Sequence, residues 1–156
     1  MAKQLNPGDK APDFTAPTDG GGEVSLSDFK GKPVVLYFYP KDDTPGCTKE
    51  AIGFSESAKA FAKLGVTVIG CSKDTAAAHD KFKQKYGLGI TLASDGDLKI
   101  CTAYGTWIEK SMYGRKYMGI ERSTFLIGSD GKLKQVWRKV KIPGHVEEVL
   151  AAAKAL

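Results

Sequence analysis

The sequence predicts an α/β fold, with a mixed central sheet flanked by helices and a short β extension ahead of it. Three observations carry that prediction. Short apolar runs rich in β-branched and aromatic residues alternate with segments whose apolar residues recur every three or four positions. Two late runs are separated by Ser129-Asp130-Gly131, a hairpin signal. Residues 1–32 are punctuated by Pro7-Gly8, Pro12, Pro17 and Gly20-Gly21-Gly22, which suits short extended pieces joined by turns.

The elements follow in order. Glu23 to Leu26 reads as an edge strand, and Ser27-Asp28-Phe29 as one short turn. Val34 to Tyr39 is an unbroken apolar run, the signature of a strand buried on both faces. Pro40 stops it, and Thr44-Pro45 suits an N-cap followed by the first helical residue. Ala51, Phe54, Ala58 and Phe61 then mark a helix face, closed by Gly65. Val66 to Cys71 is the next buried strand. Asp74-Thr75 caps a helix with His79, Phe82 and Tyr86 on one face, closed by Gly87 and Gly89. Ile90 to Ala93 is a short strand, and Asp95-Gly96-Asp97 caps a helix to Tyr104, ended by Gly105. Thr106 to Glu121 reads as a loop with a short strand around Lys116–Met118. Thr124 to Ile127 and Leu133 to Trp137 form the hairpin, and Pro143-Gly144 leads into a last helix with Val146, Val149, Leu150 and Ala153 inward. Strands alternating with helices imply parallel pairing by crossovers, and the hairpin adds an antiparallel edge. That order is thioredoxin-like, with an N-terminal extension.

No linker, repeat or low-complexity segment interrupts the 156 residues, so residues 1–156 read as one domain. The formal charge is +5, but lysines are interspersed with acids and only Arg138-Lys139-Val140-Lys141 clusters, which reads as solvated surface and not a nucleic-acid patch. No apolar run approaches the ~20 residues of a membrane span, and the N-terminus shows no signal-peptide core, so the reading is cytoplasmic. Three separated cysteines fit a reducing compartment; with only two histidines they make a poor zinc site. No metal and no cofactor is expected.

The chemistry concentrates in Pro33 to Phe54. A buried strand ends at Pro40, and Cys47 falls in the first turn of the following helix. Backbone N–H groups there lack intrahelical partners, and the positive end of the helix dipole favours thiolate over thiol. Such an arrangement makes a nucleophile of Cys47. The alternative is a buried structural cysteine with Thr44 as an ordinary cap.

The spacing Pro40-x-x-x-Thr44-x-x-Cys47 resembles the active-site motif of the peroxiredoxins. Its surroundings, Tyr39-Pro-Lys-Asp-Asp-Thr-Pro-Gly-Cys-Thr48, resemble the bacterioferritin-comigratory, or Q-type, subgroup. Residues 7–14, Pro-Gly-Asp-Lys-Ala-Pro-Asp-Phe, are similar to the start of many members, and the resemblance runs through essentially the whole chain. It implies the thioredoxin-like fold and a thiol peroxidase acting on hydrogen peroxide and small organic hydroperoxides. Cys47 would become a sulfenic acid and be re-reduced by an external thiol, either thioredoxin-like or of low molecular weight.

Such a site needs hydrogen-bond donors for the peroxide oxygens and a cation beside the thiolate. Backbone N–H groups near Gly46 and Cys47 can donate, the Thr44 hydroxyl can bridge peroxide and thiolate, and Pro40 and Pro45 stiffen the loop. The chain has three arginines, Arg115, Arg122 and Arg138. Arg122 precedes a buried-looking strand, and Glu121-Arg-Ser-Thr-Phe-Leu-Ile127 matches the pattern in which an arginine completes the peroxiredoxin site. Glu50, three residues after Cys47, is either an orienter that pairs with Arg122 or an acid complementing the helix dipole. His79 and His145 are not placed beside the motif, and His79 reads as a packed residue. Trp107 and Tyr113 are open between lining the pocket, the core and the surface.

The chain departs from the subgroup in one respect. Many members carry a resolving cysteine five residues after the peroxidatic one, where Ile52 stands; others carry it near Lys83. Cys71 and Cys101 remain as possible resolving residues, with burial as small hydrophobes the alternative for both. Two other functions compete with the peroxidase. A disulfide oxidoreductase would want Cys-x-x-Cys, but Thr44 takes the first cysteine's place. A redox-sensing thioredoxin-fold module without efficient turnover would keep Cys47 but would need no optimised arginine and threonine. With no extended arm after the last helix, a monomer is expected.

Overall fold

The computed structural model of the chain describes residues 4–156. Its centre is a five-stranded mixed sheet. Strand β3 (Val34–Phe38) lies in the middle, buried at every residue. Strands β4 (Thr67–Ser72) and β5 (Thr91–Ser94) extend the sheet on one side in parallel, while β8 (Ser123–Ile127) and β9 (Leu133–Trp137) extend it antiparallel on the other. The connections explain the directions: β3, β4 and β5 are joined through helices, and β8 and β9 through a tight turn. The fold is therefore the expected α/β arrangement, with strands paired as the sequence implied.

Two short strands, β1 (Thr15–Pro17) and β2 (Glu23–Ser25), form the N-terminal extension, and Thr18 bridges it to Ala93 at the β5 edge. Helices α1 (Pro45–Glu56) and α2 (Ala58–Lys63) replace the single helix expected between Cys47 and Gly65; the chain divides at Ser57. Helix α3 (Ala76–Tyr86) is capped as expected, the Thr75 hydroxyl accepting from the Ala78 N–H and Gly87 ending it in the left-handed conformation. The short helix α4 (Lys99–Ala103) is held by Asp95, whose two oxygens accept from the N–H groups of Ile100 and Cys101. Helix α5 (His145–Lys154) closes the described chain.

The segment 106–121 corrects the sequence reading. It is a two-stranded antiparallel hairpin, β6 (Trp107–Met112) paired with β7 (Arg115–Ile120). Tyr113 and Gly114 both have positive φ, the mark of a type I′ turn, which asparagine or aspartate followed by glycine normally signals.

The central sheet separates two apolar clusters. Val34, Leu36, Phe38, Ile69, Cys71, Ile100, Cys101 and Tyr104 pack on one face. Val35, Tyr37, Tyr39, Cys47, Phe54, Val68 and Phe82 pack on the other. Alternation along β3 assigns consecutive residues to opposite faces, so Tyr37 and Tyr39 point toward α1 and α3.

Candidate active site

Strand β3 ends at Phe38, and loop 40–44 carries the chain into α1. Thr44 is the N-cap of α1 with Pro45 following it, as expected, but its hydroxyl does not cap the helix. It donates instead to the Lys41 carbonyl, 2.9 Å away. The Thr44 side chain thus ties the loop together and leaves the first-turn N–H groups of Gly46 and Cys47 without a side-chain cap. Pro40 is half-buried at the start of this loop.

Cys47 is 2% exposed. Arg122, just before β8, reaches it from a different element. Nη2 donates to Cys47 Sγ at 3.3 Å while Nη1 donates to Glu50 Oε1 at 2.7 Å. One planar guanidinium therefore spans the thiol and the carboxylate, a geometry the fork of arginine permits and a lysine ammonium does not. Glu50 is fully buried, and burial pushes its carboxyl up to about 7 even though the charge and bond of Arg122 pull it down. Gly46 has a specific reason to lack a side chain: a Cβ there would lie 3.1 Å from Ile142 and 3.3 Å from Arg122 Nη2.

Tyr37 forms the floor beneath α1. Its ring stacks on Phe54 with centroids 4.6 Å apart, and Gly70 on β4 leaves the space it occupies. Burial, then the proximity of Glu50 and Cys47, raises the Tyr37 phenol well above its ordinary value. Lys110, on β6, is also close enough for Arg122 to push its ammonium down, after burial, and for Cys47 to pull it up. Sequence reading did not find Lys110 or Ile142. Both come to the site through tertiary packing, and Lys110 does so on a hairpin that was read as a loop.

The remaining candidates have surroundings of their own. Tyr113 sits fully exposed at the hairpin tip, 99% accessible, so it lines no pocket. Trp107 lies on β6 with the Lys73 ammonium over its ring. His145 is buried, bonded through Nε2 to the Thr124 hydroxyl at 2.8 Å and packed edge-on against Phe54 and Trp137. Burial lowers its pKa, so it is held as a neutral packed residue.

The chain can be placed among known proteins on this geometry. Residues 7–136 match the model of the AhpC/TSA family. Peroxiredoxin Bcp of Bacillus subtilis is 50% identical over 147 residues, covering 94% of each chain. The structure of a Xylella fastidiosa PrxQ variant superposes with a TM-score of 0.93 at 40% identity, covering 99% of this chain and 98% of that one. A structure of the Xanthomonas campestris bacterioferritin comigratory protein, described with its alkyl peroxide reduction activity, gives a TM-score of 0.87 at 44% identity and covers 91% and 90% of the two chains.

The chain is a peroxiredoxin of the AhpC/TSA family. It is a thiol-dependent peroxidase with a thioredoxin-like fold. In this peroxiredoxin, Cys71 and Cys101 lie on the sheet face opposite Cys47. Cys71 ends the strand next to β3, so its backbone is adjacent, but its side chain points to the other face of the sheet. Cys71, Cys101 and the Asp95 carboxylate have donor atoms within 4.8 Å of one another. By distance they could surround a small metal ion. Their chemistry opposes it, because the bond to Cys101, and then burial, push the Cys71 thiol well up, and Asp95 already accepts from two backbone N–H groups. A thiol held protonated is a poor ligand and a poor nucleophile. Among the described residues, no helix is long and apolar enough to cross a membrane.

Proposed function

We propose that this peroxiredoxin reduces hydrogen peroxide and small organic hydroperoxides at Cys47. The observation that carries the assignment is the Arg122 guanidinium donating at once to Cys47 Sγ and Glu50 Oε1. A thiolate beside a fixed cation attacks one peroxide oxygen in line, the O–O bond breaks, and the departing oxygen leaves with the electron pair as hydroxide or alkoxide, which takes a proton. Cys47 becomes a sulfenic acid. Arg122 and the N–H groups of Gly46 and Cys47 stabilise the negative charge as it moves onto the leaving oxygen. The Thr44 hydroxyl, its proton directed to Lys41, presents lone pairs to a peroxide O–H. Pro40 and Pro45 restrict the loop, and Glu50 orients Arg122.

An external thiol then attacks the sulfenic sulfur and expels water, and a second thiol resolves the mixed disulfide and restores Cys47. A thioredoxin-like protein or a low-molecular-weight thiol fits that role. Bacterioferritin comigratory protein of Xanthomonas campestris, described as reducing alkyl peroxides, supports including organic hydroperoxides among the substrates. We further propose that the chain works as one domain and as a cytoplasmic monomer, without cofactor, metal, nucleic-acid or membrane partner. The test is peroxide consumption at stoichiometric enzyme, followed directly. Wild type consumes one equivalent rapidly and Cys47→Ser does not; equal consumption by Cys47→Ser removes Cys47 from the reaction.

A further inference from the structure

We infer that His79 is a positioning residue for the peroxidase reaction, a buried imidazolium whose two N–H groups tie Asp42, and with it the loop 40–44, to the β5 edge of the sheet. The inference rests on Cys47 being the reacting thiol and adds a residue outside the motif to its support.

The geometry decides the protonation state. His79 is fully buried on α3. Its Nε2 lies 2.9 Å from the Ala93 carbonyl oxygen, and its Nδ1 lies 2.6 Å from Asp42 Oδ2. A carbonyl oxygen can only accept, so Nε2 carries a proton. A neutral imidazole then has a bare Nδ1, which would face a carboxylate at close range with no proton between them. One more proton is required, on the ring or on Asp42. Asp42 Oδ1 already accepts from the Tyr39 hydroxyl at 2.6 Å, and on the ring, against the effect of burial, the bonds to Asp42 and to the Ala93 carbonyl favour the protonated form. The proton therefore belongs to the ring, and Asp42 and His79 form a buried ion pair in which every ring and carboxylate atom has a partner.

That pair acts on the loop that sets the site. Asp42 stands between Pro40 and Thr44, and its own N–H donates to Asp74 Oδ2 at 2.8 Å. Asp74 is fixed in turn by the Ser72 hydroxyl. The next residue, Asp43, adopts a left-handed backbone and accepts from Lys85 and Tyr86, also on α3. Helix α3 thus holds two consecutive loop residues, one at the surface and one in the core. Cys47 follows directly from this loop, whereas Arg122 arrives from β8. Their alignment across 3.3 Å depends on where the loop puts the start of α1.

The pair also gives the site a pH limit. The titratable groups that shift His79 are Asp42 from the loop and Asp74 from the turn before α3; the Tyr39 ring also faces it, with centroids 6.5 Å apart. Burial alone would lower the imidazole pKa, but the Asp42 bond and charge, the Ala93 carbonyl and Asp74 outweigh it and raise it. A histidine raised in the folded state contributes stability that is fully present below its unfolded value of about 6.5 and lost as pH rises through the folded value. The tie on the loop is therefore present below the folded value and weakened as pH rises through it.

The experiment combines nitrogen-15 NMR of the His79 ring with the second-order rate of peroxide consumption at stoichiometric enzyme, both from about pH 5 to about pH 10. In wild type, both ring nitrogens are protonated at neutral pH, and the loss of one proton coincides with a fall in rate. Asp42→Asn is the decisive variant, since its amide N–H₂ can donate to a bare Nδ1 while its oxygen still accepts from Tyr39. There the ring becomes singly protonated at neutral pH and the alkaline fall disappears. His79→Phe slows the reaction about 10- to 100-fold, with the misplacement of the loop as the cause. A singly protonated His79 ring in wild type at neutral pH overturns the inference, as does an unchanged alkaline fall in Asp42→Asn. Cys47→Ser serves as the separate control: turnover by that variant defeats the peroxidase assignment, while the ring titration, which needs no activity, still reports on His79.

Discussion

At the scale of the residue, the site turns on one guanidinium shared between a thiol and a buried carboxylate. Arg122→Ala removes the only charged donor bonded to Cys47 among the described residues, and the second-order rate with peroxide falls on the order of 100- to 1,000-fold. Arg122→Lys recovers only part of this, because one ammonium cannot reproduce the two-pronged contact; full recovery of the rate would reduce Arg122 to a point charge. Glu50 supplies a second expectation. Its carboxyl stands at about 7 against an ordinary 4.5, so between those values the folded protein binds the proton more tightly than the unfolded chain. Its contribution to stability is fully present below 4.5 and lost as pH rises through about 7. Glu50→Gln has no such loss, so it gains on wild type as pH rises, by on the order of 1–3 kcal/mol. Urea midpoints of the two proteins across that window measure it, and a difference that shrinks with rising pH contradicts the buried carboxylate. Cys47, Thr44 and Arg122 were legible because local rules mark them: a helix start, a proline pair, an arginine at the mouth of a core strand. The Thr44 contact was not, because its hydroxyl chose the Lys41 carbonyl over the helix, and the same motif allows either. His79 was legible only as a packed residue, since its two acceptors come from a loop and a strand far away in the sequence.

At the scale of the element, packing between β3 and β4 is as restrictive as the site itself. Gly70 is paired with Tyr37, and a Cβ there would come within 2.8 Å of the Tyr37 ring and hydroxyl. Gly70→Ala therefore displaces the ring under α1 and destabilises the fold by about 1–3 kcal/mol, measured by denaturant unfolding. A neutral effect would show that Tyr37 can move without cost. The buried strands were readable because continuous apolar runs need no knowledge of neighbours. The β6–β7 hairpin was not, for a physical reason. Most of its residues are exposed or half-buried, so burial imposes little alternation on it, and its turn places a tyrosine where asparagine is the usual occupant. Tyr113→Asn relieves the left-handed strain at that exposed position and strengthens the hairpin by about 0.5–1 kcal/mol. Because β6 and β7 form their own small sheet, the gain is expected as slower amide exchange in residues 107–120 and not as a large change in global stability. Faster exchange there would count against the turn assignment.

At the scale of the whole molecule, the central sheet divides the cysteines. Cys47 belongs to the apolar cluster on one face; Cys71 and Cys101 belong to the other. A disulfide requires Cα atoms within about 7 Å and Cβ vectors that converge. Cys71 meets the demand for a nearby backbone, since β4 lies beside β3, but strand alternation turns its side chain through the sheet and away from α1. Cys101 sits on α4, beyond that same face. Either bridge needs strands of the sheet centre to rotate or part, which means losing part of the core. The two positions where the Q-type resemblance would place a resolving cysteine hold Ile52 and Lys83 here. The bond to Cys101, and then burial, also push the Cys71 thiol well up, which makes it a poor attacking thiolate. The oxidised protein is therefore expected to stop at a sulfenic acid on Cys47 and to wait for an external thiol. One equivalent of peroxide, a sulfenic-acid trap, alkylation of free thiols and mass mapping should place the trap on Cys47, with Cys71 and Cys101 alkylated. A dominant Cys47–Cys71 or Cys47–Cys101 bridge would instead show that the sheet opens during turnover, and would refute the one-cysteine cycle without touching the peroxidase chemistry at Cys47.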